Sequence, residues 1–593
     1  MSILNLRVPQ QELHRHDILE PPLQRLRAWL GELPLAHPLE AAPQVLQAVH
    51  GINRAELAAD KRYQAMELLY PTVADLSGIL QKQYLNASFP LADNPRQAAR
   101  AVHQLMTEMA NGYKLLVMGF TDSWAMVQRV PPAQLLTAVA RAVQHLSLLV
   151  LESYLVYEAE PEGVWGDLYQ LIRFMERYAT HLSPEVQGRE DLRFALDVIS
   201  RTYKRTLLLN LSSPYHLMQG EALDIYRRLE RWVDGCRIVP VQPGEYVSKA
   251  FFVDLATNEP PRYIPASRKE LPAEGQIIDI AQMRVLVGKR IDALTVGHKL
   301  RPGAAPLSLP ERMERDMLLR LERAWSGRPE RQIPRSAQSA RVFMATGLNA
   351  CHYFVGGEQE FDPDLQDVNQ IVLESGARPV GKQHETWSLQ DKDVWLLSGN
   401  IKAAPRPHTE GNVDVWDQVY FIPPELEVPL QETPTGPTYT LSAWQQLNMG
   451  QGGLGLACDK GNGVQIKVGE LVAYRMESGR QAGWRIGMTR WLKMNPNGSM
   501  QVGIMTLARN VAAIAVRAVA GAQEDSKYQR GLLLSNGDTK GRPPTIIVPP
   551  FAYDIGTVLR VRHGTKTTHA RLTKLLETTK SFSQFHYEFV VRG

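Results

Sequence analysis

The sequence predicts a multidomain α + β protein, an all-helical N-terminal domain followed by antiparallel β-barrel domains. Three observations carry this. Apolar residues recur at the 3.6-residue helical period through the first 235 positions. Near Gly235 the texture changes to short β-like runs between Pro- and Gly-rich turns. From Trp444 to Leu507 apolar residues alternate with the period of two that marks a half-buried strand. A chain of 593 residues also exceeds one ordinary core. The expected divisions are a helical bundle over 1–235, a mixed β/α connector over 236–327 ending in a helix, a barrel over 328–510 with a loop-rich acidic insertion at about 355–438, and a β-rich unit over 511–593.

In the helical part, Asn94-Pro95 supplies a cap and a first-turn proline, and Ala98, Val102, Leu105 and Met109 share one face behind it. Pro131-Pro132 opens another helix, whose stripe is Leu135, Val139, Ala142, Val143, Leu146 and Val150. Further amphipathic runs lie near 20–31, 54–84, 164–182 and 190–209. No fixed-period repeat stands out, which favours a bundle over a solenoid. Residues 20–230 are expected to be nearly all helical and to bind no small molecule, because no polar constellation interrupts the apolar stripes.

Beyond Gly235, Tyr246–Leu255 and Gln276–Val287 read as β-like runs. Ser308-Leu309-Pro310-Glu311 has the form of a capping box, with Met313, Met317, Leu321, Ala324 and Trp325 on one face behind it. That helix runs out at Gly327. Arg331-Gln332-Ile333-Pro334-Arg335 follows, and Pro334 keeps it out of a helix, so the two arginines sit in an extended linker before the β-like run Ser339–Phe354. In the insertion, Trp387, Trp395, Trp416 and Tyr420 argue for a folded segment. Asn497-Gly498 and Gly461-Asn462-Gly463 mark hairpins, the second joining Leu454–Cys458 to Val464–Val468. The last unit holds Thr545–Val548, Thr557–Arg562 and His586–Val591 as strands.

Composition narrows the function. A formal charge of +4 on this length gives no support for a nucleic-acid-binding chain. Cys236, Cys351 and Cys458 stand far apart without metal-ligand spacing and read as buried thiols in a reducing compartment. The N-terminus lacks the apolar core of a signal peptide, and the stretch Leu146–Val156 is too short and too polar for a membrane span, so a cytoplasmic location is expected. Gly450 to Gly455 spells GxGxxG, but a strand and not a helix follows it, which removes the dinucleotide-cofactor reading. His14 and His16, His384-Glu385 and Cys351-His352 lack a third partner. No motif for catalysis is present, so the expected protein is not an enzyme.

The barrel residues resemble the PilZ family of cyclic di-GMP receptors, over roughly the last third of the chain. That family carries an RxxxR pair before its barrel and a [D/N]xSxxG turn inside it. Arg331 and Arg335 match the first. Asn448-Met449-Gly450-Gln451-Gly452-Gly453 matches the second, with Gly450 where the family has Ser. The resemblance implies a cyclic di-GMP site built from Arg331, Arg335, Asn448, Gly450 and Gly453, with no metal and no further cofactor. It also implies a PilZ-like barrel from which the acidic insertion is looped out, so that Arg335 and Asn448 meet at one mouth. The physical case rests on arginine, whose planar fork bonds guanine, stacks on a base or grips phosphate. Arg201/Arg205 and Arg227/Arg231 repeat the spacing on helices, where it makes an ordinary charged face. The implied function is a receptor that hands nucleotide binding on to an unidentified protein partner. A degenerate PilZ-like scaffold that binds no nucleotide, and an RNA- or DNA-binding barrel, stand as alternatives.

Overall fold

The computed structural model describes residues 4–12, 23–122, 133–180, 189–242, 248–265, 271–272, 274–299, 308–327, 340–364, 439–450, 452–459, 463–477, 483–495, 497–519, 527–535 and 544–590. These divide into two compact units, one of Met1–Val342, Ala443–Glu470 and Met488–Thr506, the other of Phe343–Ser442, Leu471–Gly487 and Leu507–Gly593.

The first unit begins with helices α1 (Leu23–Glu32), α2 (Pro38–Arg54), α3 (Ala59–Gln81), α4 (Asp93–Asp122), α5 (Ala133–Leu155), α6 (Val164–Thr180), α7 (Glu190–Leu211) and α8 (Glu221–Trp232). The expected stripes form the core: Ala98, Val102, Leu105 and Met109 of α4 and Leu135, Val139, Ala142 and Val143 of α5 are buried. The α5 helix is longer than the apolar stretch read from sequence, and its length and hydropathy suit a membrane span. Its apolar window is two-thirds buried among the other helices, with Glu152 and Ser153 inside. Such burial marks a bundle-core helix. The N-terminal arm is tied down by a buried ion pair: Asp167 takes Lys114 Nζ at 2.8 Å and the Arg7 N–H at 3.0 Å, while Lys114 also donates to the Arg7 carbonyl.

A four-stranded sheet follows, β1 (Arg237–Pro240), β2 (Ala250–Asp254), β3 (Arg262–Ile264) and β4 (Gly275–Asp279), in the order β1-β4-β2-β3. The β-like run Gln276–Val287 is corrected here. Only its start is strand; Asp279 Oδ1 accepts the Ala281 N–H, and helix α9 (Ala281–Lys299) begins there, burying Met283, Val287 and Leu294. Helix α10 (Leu309–Trp325) opens on the expected capping box, with the Ser308 N–H donating to Glu311 Oε2 at 2.9 Å. Met317, Leu321 and Trp325 are buried, whereas Met313 is exposed.

Strand β5 (Arg341–Thr346) ends at Gly347, whose φ of +84° turns the chain into helix α11 (Leu348–Val355). The β-like reading of Ser339–Phe354 therefore fails in its second half: a glycine in the left-handed region stops the strand, and the Cys351 N–H returns to the Gly347 carbonyl. Strands β6 (Ser442–Gly450), β7 (Gly453–Cys458), β8 (Leu471–Met476), β9 (Arg485–Met494) and β10 (Met500–Ala508) complete a closed barrel in the order β10-β7-β6-β5-β8-β9. The β9–β10 hairpin turns at Gly498, φ +82°, as Asn497-Gly498 led one to expect. The other expected hairpin is not made. Residues 464–468 form no barrel strand; Ile466 instead exchanges two main-chain hydrogen bonds with Phe89, at 2.9 and 3.0 Å.

In the second unit, β11 (Asn510–Ala518), β12 (Gln529–Ser535), β13 (Thr545–Val548), β14 (Val558–His563), β15 (Lys566–Thr578) and β16 (Ser583–Phe589) close a second barrel in the order β11-β12-β13-β16-β15-β14. Counted from its own first strand, each barrel runs cyclically 1-2-3-6-5-4, so the two share one topology. The core of the second holds Ile514, Val516, Ile546, Val561, Leu572 and Phe585. The four insertion aromatics named above, together with His14, His16, His384 and Glu385, lie outside the described residues.

A buried carboxyl generates the first prediction. Glu152 of α5 accepts hydrogen bonds from Tyr84 and Gln81, and burial pushes it up from 4.5 to about 7. Between those values the folded chain holds a proton that the unfolded chain has shed, so stability falls as pH rises through that window and levels off above it. Glu152→Gln should match the wild type in urea unfolding at pH 4 and exceed it at pH 8 by up to about 3 kcal/mol.

Candidate functional site

The Asn448–Gly453 stretch is a β6–β7 hairpin. Gly450 pairs with Gly453, Met449 with Leu454, and Asn448 with Gly455. Before it comes a β-bulge: Gln446 pairs with Leu456 and Asn448 with Gly455, leaving Leu447 as the extra residue. The bulge decides which way Asn448 faces. Trp444 and Gln446 point into the barrel and are buried, so an unbroken strand would send residue 448 inward too. With Leu447 inserted, Asn448 shares the outer face with Gly455.

A strip without side chains lies beside it. Gly455 pairs with Gly503 of β10. A Cβ on Gly455 would stand 3.0 Å from both amide atoms of Asn448, and one on Gly503 would stand 1.9 Å from Nε1 of Trp491. The Asn448 amide and the Trp491 indole therefore lie over the two glycines from opposite sides. Gly453 is needed for a different reason: a Cβ there would come 2.1 Å from the Ile504 carbonyl oxygen, which is main chain. The turn is held to β10 by the Thr506 N–H, which donates to the Gly452 carbonyl at 3.0 Å.

One polar atom of this face stands out. Asn448 Oδ1 is buried and has no hydrogen-bond partner among the described residues. A buried amide oxygen without a partner costs free energy, about 1–3 kcal/mol, that a bound donor recovers. Chemically, the arrangement offers an acceptor at one edge of a strip without side chains of its own and an indole over its far end. That suits a flat ring with N–H groups along one edge. Cys458, at the end of β7, is buried and its thiol is pushed up to about 11, so it is no thiolate near neutral pH.

Of the residues predicted from sequence, Asn448, Gly450 and Gly453 fall on this hairpin. Arg331 and Arg335 lie outside the described residues, and with them the expected meeting of Arg335 and Asn448. The arginine pairs with the same spacing sit on helices: Arg201 and Arg205 on α7 bond to Asp234 and to the Tyr226 carbonyl, and Arg227 and Arg231 belong to α8. Gly455, Gly503 and Trp491 were missed as site residues. Only their lateral alignment across β7, β10 and β9 brings them together, although glycines at alternate strand positions signal close backbone approach.

A stability test follows. Gly453→Ala should cost about 1–3 kcal/mol, because main chain must give way. Gly503→Ala should cost less, since the obstacle there is the partly exposed Trp491 side chain and not main chain. Urea unfolding of the two variants separates them, and equal costs would contradict the geometry.

Three family models match the chain. Residues 24–242 match the N-terminal domain of the cyclic-di-GMP receptor FimW, 250–512 its middle PilZ domain, and 514–590 its C-terminal β-barrel domain. The cyclic-di-GMP receptor FimW of Pseudomonas aeruginosa is 26% identical over 603 residues, spanning 98% of this chain and 93% of that protein. No solved structure matches. The likeness is thus not confined to the last third of the chain, as the barrel motifs alone implied; it begins at residue 24, in the helices.

Proposed function

We propose that this chain, which belongs to the PilZ family, is a receptor that binds cyclic di-GMP on the outer face of its middle barrel and performs no chemistry of its own. The observation that carries the reading is the buried, unpartnered Oδ1 of Asn448 at the edge of the Gly455–Gly503 strip. Guanine presents N–H donors along one edge, which this oxygen accepts, and a flat face that lies along the strip toward Trp491. Arg331 and Arg335 would supply the positive charge and the planar forks for phosphate and guanine. Gly450, in place of the family's Ser, lets the main chain approach without offering a hydroxyl. The name of the curated relative and the match to a middle PilZ domain support the same ligand.

The output runs to the helical domain. Trp491 lies on β9, and three residues on the Met494 N–H donates to the Tyr157 carbonyl at 2.9 Å, just past α5. Lys493 Nζ lies 5.4 Å from the centre of the Tyr215 ring. A ligand that moves Trp491 therefore pulls on a strand bonded to the bundle. It transmits a signal only insofar as it prefers one arrangement of the two. The receiver is an unidentified protein partner in the cytoplasm.

Calorimetry with cyclic di-GMP on the full chain tests this. Arg331→Ala and Arg335→Ala should each weaken binding by about 1–3 kcal/mol, roughly five- to more than a hundredfold. Trp491→Ala should cost a similar amount through lost stacking, and Asn448→Ala about 1 kcal/mol. Arg201→Ala and Arg227→Ala should bind as the wild type does. No heat at millimolar ligand would leave the degenerate-scaffold reading in place.

A further inference from the structure

The helical part of the chain carries a pocket that the nucleotide reading does not use. Helices α6 and α7, with strands β1 and β4 below them, line a space of about 340 Å³, enough for a small metabolite. Its inner wall is apolar. Ile172 and Met175 of α6 and Ile199 of α7 are buried there, and Ile238 of β1 closes the side toward the sheet.

Two opposite charges line the same pocket from different helices, Glu176 of α6 and Lys204 of α7. Neither makes an ion pair with the other or with any of the described residues. The cation on Glu176's own helix, Arg173, donates to Glu274 instead. Beside Lys204 lies the Cys236 thiol, which burial pushes up to about 11, so it carries no charge to answer the ammonium.

The sheet sets one of the two charges in place. Gln276 of β4 is buried; its Oε1 accepts the Tyr203 hydroxyl at 3.1 Å, and its Nε2 donates to Glu176 Oε1 at 3.2 Å. Along α6 and α7 alone, Glu176 and Lys204 look like solvated faces, which is why these helices were expected to bind no small molecule. The polar constellation exists only once β4 is laid across their end.

We infer that this pocket binds a zwitterionic α-amino acid with an apolar side chain, its ammonium on Glu176, its carboxylate on Lys204 and its side chain against Ile172, Met175 and Ile199. Unpaired charges of both signs select a ligand that carries both. A fatty acid would bring its carboxylate near Glu176 as well as Lys204, and an alkylamine would meet the lysine. The inference is independent of the nucleotide site.

Calorimetry on the full chain with L-leucine as the probe tests this. Saturable binding at millimolar ligand or below is expected. Leucinamide, which lacks the carboxylate, and 4-methylpentanoate, which lacks the ammonium, should each bind about tenfold or more weakly. Lys204→Met and Glu176→Gln should lower the affinity for L-leucine by a similar factor, and Ala179→Trp, which fills the pocket from α6, should abolish binding. Circular dichroism and urea unfolding of the three variants establish that the fold persists. Absence of saturable binding by L-leucine, L-methionine and L-phenylalanine, equal binding of either leucine analogue, or wild-type affinity in both charge variants would each overturn the proposal.

Discussion

The middle barrel depends on one close approach, that of the β7 backbone to β10 at Gly453. The Ile504 carbonyl occupies the space a side chain would need, so the two strands meet as main chain against main chain. From that point the register runs through Gly455 opposite Gly503, whose outer face carries no side chain of its own and is covered by the Asn448 amide and the Trp491 indole. Asn448 and Trp491 lean onto the two glycines because neither has a Cβ to hold them off. The β6 bulge is the second half of the same device. A shift of one residue exchanges the faces of a strand, and Leu447 makes that shift where the amide must leave the core.

The same strands carry the attachments to the helices. Residues 464–468 leave β7 and bond to Phe89 instead of to a barrel neighbour, with Lys467 reaching the Asn86 carbonyl at 3.2 Å. At the other end, Met494 closes β9 onto Tyr157. Two main-chain links thus flank the strip, one following β7 and one ending β9. Main-chain hydrogen bonds are short and directional, so a displacement of either strand is not absorbed by side-chain rotation.

The helical domain was legible because its signal is local. Ala98, Val102, Leu105 and Met109 state their face within three turns, and Ser308 with Glu311 states a helix start within four residues. Where the reading failed, a single residue outside the pattern decided. Asp279 caps α9 inside what looked like a continuing strand, and Gly347 ends β5 where apolar residues run on. The run at 464–468 has strand-like composition, but its partner is Phe89, far away in sequence. Asn448, Gly450 and Gly453 were found through a motif. Trp491 was not, because its role is set by an atom that Gly503 lacks, and no spacing along one strand reports a vacancy on the next.

Two barrels of one topology therefore carry opposite surfaces. The middle barrel thins its outer face, with glycines at 453, 455 and 503, and sets one unsatisfied acceptor beside them. The second places Arg517, Arg530, Arg560 and Arg562 on β11, β12 and β14, with Tyr528 under Arg517 and Phe361 under Arg530. The interiors are conventional in both: Leu454, Leu456 and Val502 in one, Ile514, Val516 and Leu572 in the other. Strand alternation separates the two tasks, since inward residues hold the barrel closed while outward ones are free to differ. Closure thus fixes the two interiors alike, and what distinguishes the barrels is confined to their outward-facing residues.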